Sequence, residues 1–155
     1  MSRSAPSKSQ ARAAARLAAV QALYQHQMEE THLASLLDEF HMHRLGGEVD
    51  PELDDAQYAQ AEVAFFDDVV KGTLARRDEI DALISGKLAE GWKIERLDRT
   101  MLQILRAGAY ELLARADVPT PTVISEYLDV AHAFFDARET KFVNGVLDAV
   151  AKAVR

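Results

Sequence analysis

Apolar residues recur at intervals of three and four along most of this chain, and nowhere do they alternate with polar residues long enough to make a strand. The pattern predicts an all-α protein. A first helix is expected over about Ser9–Met28, where Leu17, Val20, Tyr24 and Met28 share a face, and a second over about Leu33–Arg44 with Leu33, Leu36, Leu37 and Phe40 inward. Gly46-Gly47 and Asp50-Pro51 break the periodicity, and Glu48–Asp55 reads as an acidic loop. Helix resumes over about Gln57–Arg76 on the stripe Ala61, Phe65, Val69 and Gly72, then over about Arg77–Leu88 with Ile80, Leu83, Ile84 and Leu88. Gly91 is the next stop. Asp98 is placed to cap a helix over Arg99–Arg115, on which Met101, Leu105, Gly108 and Leu112 recur and Gly108 can admit a close neighbour. Thr120-Pro121, a side-chain cap followed by proline, starts a helix reaching about Phe135. The last helix spans about Arg138–Val154, with Phe142, Val146, Val150 and Val154 four apart. Six or seven helices with short links amount to a single-domain helical bundle.

The length supports that reading: 155 residues bury roughly 70% of the extended chain's surface, enough for one core. The absence of cysteine excludes a disulfide scaffold, a thiolate metal site and a cysteine nucleophile. No apolar run reaches the roughly 18 residues of a spanning helix, so neither a membrane nor a membrane partner is expected. Residues 1–8 are expected to be flexible. The start of the chain, rich in Ser, Arg and Ala and free of acid, also has the look of a transit peptide, a reading set against a cytoplasmic location.

Charge changes the picture only once it is divided by position. The formal net charge of −7 taken whole argues against nucleic acid, because phosphate is neutralised by Lys and Arg. Yet Met1 to Met28 carries Arg3, Lys8, Arg12 and Arg16 and no carboxylate, Glu29 to Asp68 carries twelve carboxylates against Arg44, and the remainder is balanced. Lys8, Arg12 and Arg16 are spaced by four, which stacks them on one face near a helix N-terminus and makes a stripe suited to an anionic polymer.

Enzyme signatures are missing. The glycines are dispersed, so there is no phosphate loop or dinucleotide fingerprint, and no serine sits in a nucleophile elbow. His41 and His43, with His32 and Asp38 nearby, are two apart and point to opposite sides of a helix, so they read as a solvated face and no metal is expected. The pairs Asp54-Asp55 and Asp67-Asp68 have no evident companion base and read as solvated surface. No cofactor is expected.

Three blocks carry a resemblance. Ala19-Val20-Gln21-Ala22-Leu23-Tyr24 after a basic helix start, Ala109-Tyr110-Glu111-Leu112 followed by Asp117-Val118-Pro119, and Lys141-Phe142-Val143-Asn144-Gly145-Val146-Leu147-Asp148 together resemble the NusB family of transcription antitermination factors. The resemblance implies a bacterial cytoplasmic helical protein that pairs with NusE, the ribosomal protein S10. Such a protein binds the single-stranded boxA element of nascent RNA and joins RNA polymerase with other Nus factors, chiefly on ribosomal RNA operons. Carried over by position, the family's arginine-rich start falls on Lys8, Arg12 and Arg16, its second RNA-contacting place on Lys141 and Phe142, and its NusE contacts on Tyr24 and Glu95. Asn144 and Gly145 then read as structural, with Gly145 permitting close helix packing. The chain departs from the family where Ala13, Ala14 and Ala15 dilute the basic patch, at Ser125-Glu126 in place of Asn-Glu, and at Phe134-Phe135 in place of an aromatic-glycine pair.

Three functions follow. The leading one is a non-enzymatic RNA-binding adaptor that docks NusE on a separate face. A second, the NusB-like module of a ribosomal RNA cytosine methyltransferase, needs a catalytic domain that 155 residues do not accommodate. A third is an interaction protein or homodimer of the same fold with weak intrinsic RNA binding, motivated by the alanine-diluted patch.

Overall fold

The computed structural model describes residues 8–43 and 55–155, the side chains of Lys8, Ser9, His43 and residues 55–61 excepted. Among the described residues there are seven α-helices, one short 3-10 turn and no strand, so the all-α expectation is met. The chain divides into two compact units, Met1–Val70 and Lys71–Arg155. The expected acidic loop, the Gly46-Gly47 break and Arg44 lie outside the described residues.

The first unit holds α1 (Lys8–Glu29), α2 (Leu33–His43) and most of α3 (Asp55–Ala75). The helices fall where the periodicity put them, but the buried face of α1 differs from the expected one. Ala11, Ala15, Ala18, Ala19, Val20, Ala22 and Leu23 are buried, whereas Tyr24 and Met28 are exposed. Large residues drew the expected stripe; the helix instead buries its alanines, whose small side chains make up a tightly packed face. Leu36, Leu37 and Phe40 of α2 are buried as expected, and Phe40 stacks on Phe66 of α3 with centroids 5.6 Å apart and planes 19° apart. Leu33 is half-buried.

His41 corrects the solvated-face reading. Its Nε2 lies 2.6 Å from Oδ1 of Asp67, both side chains are about one-quarter exposed, and the imidazole meets the edge of Phe66 at 5.9 Å. Asp67 therefore has a base as companion. The pairing is long-range in sequence, which is why neighbour spacing did not reveal it. No group of three metal-ligating side chains occurs among the described residues.

The second unit is built on α5 (Arg99–Ala114), buried on most of its surface from Met101 to Leu112. Around it pack α4 (Arg77–Ser85), α6 (Thr120–His132) and α7 (Ala137–Val154). Asp98 caps α5 as expected, its Oδ1 accepting from the N–H of Thr100 at 2.8 Å and of Met101 at 3.1 Å. Gly108 is the close approach foreseen: a Cβ there would stand 2.9 Å from Cδ2 of Leu147 on α7. Arg106 forks onto Asp81 of α4, with Nε–Oδ1 and Nη2–Oδ2 both 2.8 Å.

Several boundaries shift. α4 ends at Ser85 instead of about Leu88, because Lys87 and Leu88 donate to Ile84 and Ser85 in tighter turns. The turn Ile94–Arg96 lies in a stretch the periodicity left unassigned. Helix α6 begins at Thr120, so Thr120 lies inside the first turn and does not cap it; Pro119 holds the capping position without a side-chain bond. It stops at His132, three residues short of the expected end. Asp136 caps α7 by accepting from the Glu139 N–H at 2.9 Å.

Candidate nucleic-acid interface

Helix α1 has no carboxylate in its first turn, which leaves its positive end to the basic residues. Lys8 opens the helix, but its side chain lies outside the described residues. The spacing of four does place Arg12 and Arg16 on one face. That face, however, is the buried one: Ala19, Val20 and Leu23, three, four and seven residues beyond Arg16, are all within 2% of full burial. Arg16 is only 2% exposed, which corrects the expectation of a solvent-facing stripe.

Both guanidinium groups lie over the Phe65 ring of α3, with Cζ at 4.7 Å for Arg12 and 4.9 Å for Arg16 from the centroid. Stacking of this kind contributes about 0.5–2 kcal/mol, more where the pair is desolvated. Arg16 is thus spent on packing, its stem and fork laid along protein in place of water. Arg12, one turn nearer the helix start and half-buried, is the residue of the pair with access to solvent.

At the start of α7, Asp136 engages the backbone and Thr140 is buried, donating its Oγ1 hydrogen to the Asp136 carbonyl at 2.8 Å. Lys141 and Phe142 follow directly and both are exposed. Phe142 lies on the same four-spaced stripe as Val146 and Val150; those two are buried, while Phe142 stays 38% exposed at the edge. Its ring opens on a cleft of about 630 Å³ lined also by Trp92, Arg96, Leu97, Met101 and Arg138. Asp98 and Asp136 reach the same cleft with carboxylates already committed to capping. The reading of Gly145 as a packing glycine is corrected: nothing lies within 4 Å of a Cβ placed there, and Asn144 beside it is exposed.

The structure thus brings Arg12 and Arg16 together on one ring, and Phe142 into an apolar cleft beside Lys141. Tyr24 is 39% exposed on α1 of the first unit, so it is no core tyrosine, and Glu95 is exposed in the turn Ile94–Arg96 of the second. Phe134 and Phe135, which replace the expected aromatic-glycine pair, sit just past α6 with centroids 6.3 Å apart and Phe134 exposed. Sequence reading passed over Trp92, Arg96 and Arg138. A lone tryptophan directly after a turn glycine was the available signal.

Comparison with known proteins covers nearly the whole chain. The NusB family model matches residues 13–152. A transcription antitermination protein NusB of Novosphingobium aromaticivorans is 72% identical over 145 residues, 94% of this chain and 95% of that one. Among solved structures, NusB of T. maritima superposes with a TM-score of 0.72 at 31% identity, covering 91% of this chain and 90% of its own. A structure of the antitermination factors NusB and NusE in complex with double-stranded RNA is similar at a TM-score of 0.72 and 26% identity, covering 92% and 97%.

Proposed function

The chain belongs to the NusB family, and from that membership we propose that it is a transcription antitermination factor which binds boxA RNA together with NusE. It acts without catalysis, as one RNA-binding domain in the cytoplasm. No described helix is long and apolar enough to cross a membrane, which is consistent with that location. The adaptor tethers nascent RNA to RNA polymerase in company with other Nus factors. Tethering raises the local concentration of each component for the others, so modest pairwise affinities suffice for a lasting assembly.

The observation that carries this reading is Phe142: an aromatic ring held at the solvent edge of an otherwise buried helix stripe, preceded by an exposed lysine. A ring and a cation side by side suit a base and its phosphate. Arg12 and Lys8 supply further charge from α1. Arg16, buried, shares with Arg12 the stacking on Phe65. Tyr24 and Glu95 form the NusE-docking contacts.

The related complex holds double-stranded RNA, while this reading calls for a single strand, and the test therefore includes both forms. Binding of a labelled boxA oligonucleotide, single-stranded and paired, is measured with and without NusE. Phe142→Ala is expected to weaken single-strand binding about tenfold with NusE docking unchanged. Tyr24→Ala is expected to do the reverse. Equal loss of both activities in either variant contradicts the assignment of separate surfaces.

A further inference from the structure

We propose that Trp92 is a stacking residue for single-stranded RNA, receiving an unstacked nucleobase in the cleft that its indole shares with Phe142. The proposal rests on the RNA-binding function above and adds to it a residue and a mode of contact. Trp92 is held out by a built turn: Gly91 has a φ of +87°, a conformation that favours glycine, and the Trp92 N–H bonds to the Ala89 carbonyl at 3.0 Å. The indole is left 59% exposed at a cleft whose apolar surface comes from Leu97 and Met101 as well as the two rings. One exposed aromatic is unremarkable in a soluble protein; two on the same concavity with an apolar floor mark a binding site.

The chemistry of the rim selects the occupant. Arg96 and Arg138 stand at the cleft, and of its three nearby carboxylates Asp98 and Asp136 are turned to the backbone N–H groups of α5 and α7. The charge of those two carboxylates is offset in part by the positive helix ends they cap, which leaves Arg96, Arg138 and Glu139 as the uncompensated charges of the rim. A flat apolar ligand with an anionic attachment fits such a place, and a nucleotide within a flexible strand is that ligand. The volume of about 630 Å³ lies within the roughly 300–1,000 Å³ usual for small-molecule pockets, ample for one base.

Trp92 is the chain's one tryptophan, so its fluorescence reports on this cleft alone. The full chain with NusE is titrated with single-stranded boxA RNA, the Trp92→Phe complex serving to subtract any partner emission. The expected result is quenching that saturates together with RNA binding measured by anisotropy. Trp92→Ala should weaken binding about tenfold and Trp92→Phe less than about threefold, since a smaller ring still stacks. The slope of affinity against salt should stay the same in Trp92→Ala, because no phosphate contact is removed. Its melting temperature and NusE docking should not change.

RNA binding without quenching, and with Trp92→Ala equal to wild type, overturns the stacking role while leaving the antitermination reading intact. Equal quenching by a fully paired duplex also overturns it, as does loss of NusE docking in Trp92→Ala, which assigns the cleft to protein. Failure of the wild-type chain with NusE to bind RNA at all overturns both.

Discussion

Gly72 and Gly145 both sit in helices, yet they answer to opposite constraints. At Gly72 the phenol ring of Tyr110, itself buried, occupies the space a Cβ would need, whereas a Cβ at Gly145 meets nothing. Gly72→Ala should therefore cost about 1–3 kcal/mol through overpacking, even though alanine is the better helix former. Gly145→Ala should stabilise by up to about 1 kcal/mol from backbone entropy alone. Denaturant unfolding of the two variants should give shifts of opposite sign, and shifts of the same sign would show that the local space has been misread. Glu62 gives a second test at this scale. Burial pushes its carboxyl above the ordinary value of 4.5, which means that the fold penalises the charged form. The stability linked to Glu62 is thus present at low pH and lost as pH rises through the raised value. Glu62→Gln should be more stable than wild type at pH 7, with the difference shrinking as pH falls through the raised value towards 4.5 and levelling off below it. A difference that does not vary with pH would rule out titration as its source.

Helices are held here by their ends as much as by their faces. Arg155 spreads its guanidinium over the carbonyls of Glu111, Leu112 and Arg115 at the end of α5, and over the Val118 carbonyl and Thr120 Oγ1 before and within α6. The Glu111 and Arg115 carbonyls also accept backbone N–H groups, from Arg115 and Val118, so the guanidinium is a second donor to each, and a cation at that helix end also complements the dipole. Arg155→Ala should lower stability by about 2 kcal/mol in urea unfolding, with Arg155→Lys recovering only part because lysine lacks the fork. No loss in the alanine variant would show that water replaces the clamp at no cost. These end interactions mark how much could be read in advance. Asp98 was legible because a cap and the groups it serves are two and three residues apart. The clamp from Arg155 spans about forty residues, and no local pattern announces it. The face of α1 was misjudged for another reason. Weighting by side-chain size favoured Leu17, Tyr24 and Met28, but the arc flanking Arg16 is made of Ala19, Val20 and Leu23, and alanine gives a weak hydrophobic signal while packing closest. Reading that arc would have placed Arg16 inside.

For the whole molecule, a net charge of −7 coexists with a basic α1 whose one carboxylate is its last residue, Glu29. What matters for an RNA partner is which cations reach water. The sequence alone offered four phosphate contacts from Lys8, Arg12, Arg16 and Lys141; the burial of Arg16 reduces those to about three, to which Arg96 and Arg138 at the cleft add. Arg16→Ala should then lower thermal stability, through the lost stacking on Phe65, more than it alters RNA binding at low temperature. Arg12→Ala should do the converse. The most direct test is the affinity of the NusE-bound chain for single-stranded boxA RNA between 50 and 200 mM salt. With a single-strand slope of about −0.7 per phosphate, three contacts set a minimum loss of roughly 20-fold across that range, Arg12→Ala gives a slope shallower by about 0.7, and Arg16→Ala an unchanged slope. A flat response in the wild-type chain, or a slope that falls with Arg16 and not with Arg12, would contradict the account.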